Sequence, residues 1–355
     1  MKLVKRAEIS RKLVVGIRLL SIIIAFSLAS LLLLLHEVNP IDFYAKLLLN
    51  VFGTKVGVTE SVVRMIPLLL ISSGLALSFR AGFWNIGAEG QLLAGAMLGY
   101  LLASNFGSSP SYLLIPSLFI VGYLAGASWG IIPAFLKAKL NVNDVLSTLM
   151  LYYVLYWVFQ HMIHGPWKAV ETVGGLTYGG FAHTQVLPES SQLPVIAGTR
   201  VHWPTLLIAL ASATAVYILL RRTTLGFEIR AFGGNPDASK AAGISGTKVL
   251  LLVASISGGL SGVAGIGELC GIQKRFTPEF LSGYGFSAII TAWLSGNNPA
   301  NLIISNFLYG GLLVGGSYAM ISYKLPIGFI NMFNGLILLS VLVGEFLIRY
   351  ELRRD

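Results

Sequence analysis

An all-α polytopic membrane protein is the fold class this sequence predicts, and three observations predict it. Hydrophobic residues make up 55% of the 355-residue chain and charged residues only 11%, against about 25% charged in soluble domains. The apolar residues fall into runs close to the roughly 20 residues that cross a hydrocarbon core. Basic residues gather between alternate runs, the pattern that orients a chain in a bilayer. So little polar surface cannot coat a globule in water, whereas lipid accepts an apolar exterior. The net charge of +10 would suit nucleic acid, but basic and aromatic residues are not interleaved on a polar face, so no nucleic-acid partner is expected. Cys270 is the single cysteine, which excludes an internal disulfide and a thiolate metal cluster.

The elements follow in order. Lys2, Lys5, Arg6, Arg11 and Lys12 form a basic arm over residues 1–12. The apolar run behind it, 13–35, is longer than the roughly 7–15 residues of a cleavable signal and lacks a small-x-small end. It reads as a retained first span. Spans are expected near 14–35, 61–79, 88–104, 112–136, 145–163, 204–220, 249–267, 286–296, 299–319 and 327–348, about 8–10 transmembrane helices with broken or half helices included. Segment 286–296 is too short to cross alone, and Gly296-Asn297-Asn298-Pro299 separates it from the next. Two tightly turned spans and a re-entrant hairpin both fit.

With the amino terminus inside, the outer segments hold Lys46, Lys55, Lys168, Arg200, Lys274, Arg275 and Lys324, and Arg18 and Arg64 lie within span ends. The other sixteen of the 25 basic residues fall on the inner side, which predicts both termini in the cytoplasm of a multi-pass inner-membrane protein. The chain then forms a single transmembrane domain, with an external segment at 164–203 and a cytoplasmic loop at 221–248. Glycines four apart, at 95 and 99, at 122, 126 and 130, at 258 and 262, and at 311 and 315, predict closely packed helices.

Two stretches carry chemistry. Phe83-Trp84-Asn85-Ile86-Gly87-Ala88-Glu89-Gly90-Gln91 is polar and Gly-rich between two apolar helices. Asn85 is placed to N-cap the following helix, with Glu89 and Gln91 in its early turns, where a carboxylate suits the dipole. Either the stretch is an interfacial turn, or it is a helix break where a solute passes, with freed backbone as ligand. The second stretch lies in the cytoplasmic loop, beyond Glu228 and Arg230. Asn235 to Gly243 reads as a complete short helix: Asn235 caps it, Pro236 takes the first position, Asp237 faces the positive end, and Gly243 ends it in the left-handed region. Two turns of helix outside the membrane are marginal alone, so a partner protein is expected to cover them.

Asn85-Ile86-Gly87-Ala88-Glu89-Gly90-Gln91 between two spans resembles the signature of permeases of nucleoside and simple-sugar ABC importers, within the branched-chain amino acid and ribose-type permease superfamily. Arg230-Ala231-Phe232-Gly233-Gly234-Asn235-Pro236, running on to Ala241-Ala242-Gly243-Ile244, resembles that family's coupling loop, and Gly296-Asn297-Asn298-Pro299 is similar to its late break. The likeness covers about 60–345 in the family's order. Ribose-type members carry an Asp-Leu-Ser-type motif where this chain has Asn-Ile-Gly, which favours the nucleoside branch.

The resemblance implies a permease that pairs with itself or with a homologous second permease around a central pathway. It implies a separate cytoplasmic ATPase, holding ATP-Mg and docked on the loop helix, and an external binding lipoprotein that delivers the solute. Asn85, Glu89, Gln91, Asn297 and Asn298 are then the pathway candidates. Glu228, Arg230, Asn235, Pro236, Asp237 and Gly243 are the coupling candidates. No cofactor and no catalysis are expected of this chain, since it has no G-x-x-x-x-G-K-[ST] loop; Ser245-Gly246-Thr247-Lys248 has the letters in the wrong order.

Two rival classes are weighed against this. An ion-coupled carrier keeps carboxylates deep in its spans, whereas Glu89, Glu268 and Glu345 fall near expected span ends. A membrane enzyme would need a motif, and His161, His164, His183 and His202 show neither zincin spacing nor a serine elbow, and read as polar surface.

Overall fold

The computed structural model describes residues 2–5, 10–169, 171–173, 176–178, 180–325 and 327–353. Arg6 of the basic arm and Arg354 lie outside the described residues, as do the side chains of Arg11, Lys12 and Glu345. The chain runs through helices α1 (Arg11–Leu35), α2 (Pro40–Phe52), α3 (Lys55–Arg80), α4 (Ala88–Asn105), α5 (Ser111–Leu140), α6 (Asp144–His164), α7 (Trp203–Arg222), α8 (Thr224–Gly234), α9 (Pro236–Ala241), α10 (Gly246–Ile266), α11 (Tyr284–Leu294), α12 (Pro299–Tyr323) and α13 (Ile327–Arg349). Two short ribbons complete it: β1 (Lys2–Lys5) pairs antiparallel with β4 (Tyr350–Arg353), and β2 (Glu171–Val173) with β3 (Leu176–Tyr178). Among the described residues six helices are long and apolar enough to span a bilayer, or seven if α1 and α2, bent by 114°, count as one broken span. The all-helical polytopic expectation holds.

The contacts divide the chain into two compact units, residues 62–306, and residues 1–61 with 307–355. In the second, α1 packs along α13, and α2 brings Phe43, Leu47 and Val51 onto Leu33, Val38, Leu325 and Phe329. The sequence reading missed α2. Asp42 and Lys46 pair across one of its turns at 2.8 Å, and this polar face breaks up the apolar run that would mark a span. Its start is nonetheless locally encoded, since the Asn39 side chain accepts from the amides of Ile41 and Asp42 and Pro40 follows at once.

In residues 62–306, α10 is the central helix, packed on α5 and α4. The glycine spacing is realised in that packing. A Cβ at Gly126 would run into the Gly258 carbonyl, and one at Gly262 into that of Gly122, so backbone lies on backbone. Beyond Ile266 the helix does not stop but widens into a π-helical turn, Gly267–Gln273, and Lys274 then takes a left-handed conformation at φ 59°. The segment after α6 folds as short pieces against the turn that follows α10. Thr184, Leu187 and Leu193 donate backbone hydrogen bonds to Phe276, Lys274 and Cys270 at 2.8–3.0 Å. Beneath them Trp167 stacks on Phe276 with centroids 6.1 Å apart.

Candidate functional site

The Gly-rich stretch folds as a link between α3 and α4, and its polar groups turn inward. Gly82, at φ 71°, turns the chain as α3 ends. Asp144, the first residue of α6, accepts from the Trp84 amide at 2.6 Å and from Lys137 Nζ at 2.6 Å. Lys137 also donates to the Gly82 carbonyl at 2.7 Å. Ile86 N–H donates to Thr148 Oγ1 at 3.2 Å. Loop, α5 and α6 are therefore tied by one ion pair. Lys137 keeps 25% of its side-chain exposure, which places the pair below a fully buried one. Asp144→Ala is expected to destabilise the protein by about 1.5–3 kcal/mol, the range for hydrogen bonds to a charged group. Thermal unfolding in detergent measures it, Asp144→Asn should recover part of the loss, and an unchanged melting temperature would remove the clamp from this account.

Asn85 is not the N-cap of α4. Gly87 occupies the cap position with no side-chain bond, and Asn85 lies fully buried. Its Nδ2 donates to Gln91 Oε1 at 2.7 Å and to Ser257 Oγ at 3.0 Å, while Gln91 Nε2 returns a bond to Asn85 Oδ1 at 2.8 Å. A buried amide gains more from this reciprocal pair than from one exposed cap bond, because every polar atom taken from water needs a partner. The motif's glycines admit a neighbouring helix: a Cβ at Gly90 would lie 2.9 Å from Tyr152 Cα on α6.

Glu89 is only 1% exposed. Its carboxylate accepts from Gly283 N–H at 2.9 Å and from Gly285 N–H, the amides that open α11. A helix start leaves such donors without intrahelical partners, and a carboxylate there also meets the positive end of the dipole. Glu89 of α4 thus caps α11 from another part of the chain. Gly283 itself sits at φ 73°, so no side chain at the usual position could do so without strain.

With 11 residues, α11 is about 16 Å long, half of a bilayer core. Non-helical backbone, residues 274–283, precedes it. Irregular chain of this kind is tolerated within a membrane where it is buried in protein or lines a water-filled cavity. At the other end of α11, Gly296 and Asn297 both have positive φ, 68° and 52°, and Arg80 Nε donates to the Asn297 carbonyl at 3.2 Å. Glu89 and the pair Asn297 and Asn298 are therefore not brought together; they hold opposite ends of one half-length helix. Trp84 stacks on Trp293 at 5.4 Å and braces its last turn.

The structure adds residues that the sequence reading passed over. Glu268, on the π-helical turn, is 4% exposed and accepts from Gln273 Nε2 at 3.1 Å. Arg64 Nη1 donates to Tyr284 Oη at 2.6 Å. Glu89 and Glu268 lie near helix ends as expected but are buried, so their position alone does not argue against an ion-coupled carrier. His202 is also buried rather than surface, its ring against Gly271. A polar residue between two glycines, as in Gly267-Glu268-Leu269-Cys270-Gly271, is the one local signal that pointed to this turn. Among the described residues, no group of three or more His, Cys, Asp or Glu could hold a metal ion.

The short helix expected at Asn235 to Gly243 is present. Asn235 Oδ1 accepts from Asp237 and Ala238 N–H at 3.0 Å each, Pro236 follows, and Gly243 is left-handed at φ 82°. Ala238, Lys240, Ala241 and Ala242 are exposed, whereas Ser239 is buried. Ahead of it the sequence reading missed α8, whose three glycines depress helix propensity. Thr223 caps α8 by accepting from Gly226 N–H at 3.1 Å. Arg230 is exposed on it and Glu228 half-buried. A Cβ at Gly233 would strike the Arg80 carbonyl, so the end of α8 rests directly on the link that carries Asn85 and Glu89.

The family described as branched-chain amino acid transport system, permease component, matches residues 57–343. The chain belongs to that permease family. The permease is accordingly a multi-pass protein of the plasma membrane, as the apolar runs and basic-residue pattern predict. It is 33% identical to a glucose ABC transporter permease protein of Haloferax volcanii, over 98% of this chain and 92% of the relative. It is 31% identical to a nucleoside ABC transporter permease protein of Lactococcus lactis, over 84% of this chain and 82% of the relative. A guanosine ABC transporter permease protein of Bacillus subtilis is 29% identical, over 94% of each chain. No solved structure matches the permease.

Proposed function

We propose that the permease is the transmembrane subunit of an ABC importer for a small hydroxylated solute, a nucleoside in the first instance. One observation carries this: the capped α9 and the α8 before it stand exposed, yet α8 seats its Gly233 against the Arg80 carbonyl, at the head of the link to Glu89. A partner moving α8 and α9 would therefore move the α3–α4 link, and through Glu89 the start of the half-length α11. On this reading the partner is a cytoplasmic ATPase that hydrolyses ATP-Mg, the permease itself catalyses nothing, a second permease completes the pathway, and an external lipoprotein delivers the solute. Asn85, Glu89, Gln91, Asn297 and Asn298 remain the pathway candidates. Two relatives with nucleoside or guanosine in their names support the nucleoside choice. The Haloferax relative favours a sugar as the second choice.

Reconstitution with the ATPase and lipoprotein in liposomes, with labelled guanosine and labelled glucose offered separately, decides the solute. ATP-dependent uptake that persists with a protonophore supports the importer; uptake without ATP that the protonophore abolishes would move the two buried carboxylates to an ion-coupled carrier. Orientation is tested by cysteine labelling in a Cys270→Ser background. Because Ser239 is buried, the exposed Ala238 is the position to use, with the exposed Gln185 opposite. An impermeant reagent should reach Gln185→Cys but not Ala238→Cys in intact cells, and the reverse pattern overturns the topology.

A further inference from the structure

The ends of α3 and α7, the middle of α8 and the start of α12 meet around a cavity of about 220 Å³, lined by Arg80, Leu220, Arg221, Arg230, Asn298 and Pro299. Three guanidiniums thus face one space, and Arg221 and Arg230 both act on Arg80 by like-charge repulsion. None of the three has a carboxylate partner among the described residues. Arg80 donates to the Asn297 carbonyl, Arg221 lies 5.1 Å over the Tyr217 ring, and Glu228 is two residues from Arg230, which on a helix places it on another face. Pro299 at the cavity opens α12, whose positive dipole end adds to the field. A neutral solute gains less from such a site than an anion does. It is organised for an oxyanion, and bidentate guanidiniums match phosphate best.

We infer that this cavity binds the phosphate of an anionic phospholipid headgroup. The arginines of α3 and α7 stand at the ends of membrane helices, the level of the headgroups, and basic pockets between helices on a cytoplasmic side are where such lipids are held. The proposal rests on the membrane reading but not on the transported solute or on the partner ATPase.

The purified permease in neutral phosphatidylcholine nanodiscs doped with phosphatidylglycerol, examined by native mass spectrometry after release into detergent, tests it. Wild type should retain phosphatidylglycerol over phosphatidylcholine. Each of Arg80→Gln, Arg221→Gln and Arg230→Gln should weaken that retention roughly five-fold, as expected for one basic residue near an anionic surface. Arg222→Gln, on the same helix but outside the cavity, should leave it unchanged, and Arg→Lys at the three positions should keep part of it, which guards against misfolding as the cause. Equal loss with Arg222→Gln, or equal retention in the triple variant, overturns the site. Arginine-dependent thermal stabilisation by inorganic phosphate, without phosphatidylglycerol retention, would overturn the lipid as source. Loss confined to ATPase recovery in a pull-down would assign the arginines to an acidic partner surface instead.

Discussion

Glu89→Ala is expected to lower solute uptake by the reconstituted importer at least about tenfold, while the variant still inserts and assembles. The carboxylate is buried and holds the amides of Gly283 and Gly285. Removing it leaves the buried Gly285 donor without a partner, at a cost of about 1–3 kcal/mol, and the half-buried Gly283 donor with only solvent to turn to. The start of α11 must shift to find new acceptors, and with it the non-helical chain that leads into the helix. Glu89→Gln retains one carbonyl oxygen and should fall between the two. Uptake of labelled guanosine, set beside size-exclusion profiles of the purified variants, measures both effects. Wild-type uptake by Glu89→Ala would remove this residue from the pathway and leave it a helix cap.

The second large effect is expected at the other end of the same chain of contacts. Gly243 has φ 82°, where a side chain is strained by about 1–2 kcal/mol; a β-branched residue is the worst choice there. Gly243→Val should therefore unwind the end of α9 and misdirect the exposed Ala241 and Ala242. Asn235→Ala removes the acceptor for two amides and should weaken the helix by about 0.5–2 kcal/mol. Neither position touches Glu89 or Asn297. Solute delivery to the outer face should survive, while solute-stimulated ATP hydrolysis and recovery of the ATPase in a detergent pull-down both fall, more for Gly243→Val. Hydrolysis and recovery at the wild-type level in Gly243→Val would show that α9 is not where the ATPase docks.

The two variants also mark the boundary between what is local in this chain and what is not. Asn235, Pro236, Asp237 and Gly243 act within one helix, so their identities and spacing alone describe α9, cap to cap. Apolar runs are local in the same sense, because a bilayer asks only for length and side-chain polarity, and ten of the helices were legible on that ground. Shorter or glycine-bearing helices escaped: α2 carries a paired Asp42 and Lys46, and α8 is held by its seat on Arg80 more than by its own propensity.

Most partners of the buried polar groups were decided by tertiary structure. Asn85 looked like a cap because asparagine before a helix usually is one, yet Ser257 reaches it from 172 residues away. Glu89 finds its donors 194 and 196 residues on, and the backbone carbonyl of Asn297 accepts from Arg80 across 217. Once removed from water, each such group must be satisfied by whatever packing brings near it. Residue type and spacing therefore determined that this protein lies in a membrane, where its long apolar helices run and how α9 is capped. Which polar side chains meet inside the bundle was set only when α4, α10 and α11 came together, because hydrogen-bond partners so distant in sequence are chosen by packing and not by local chain preference.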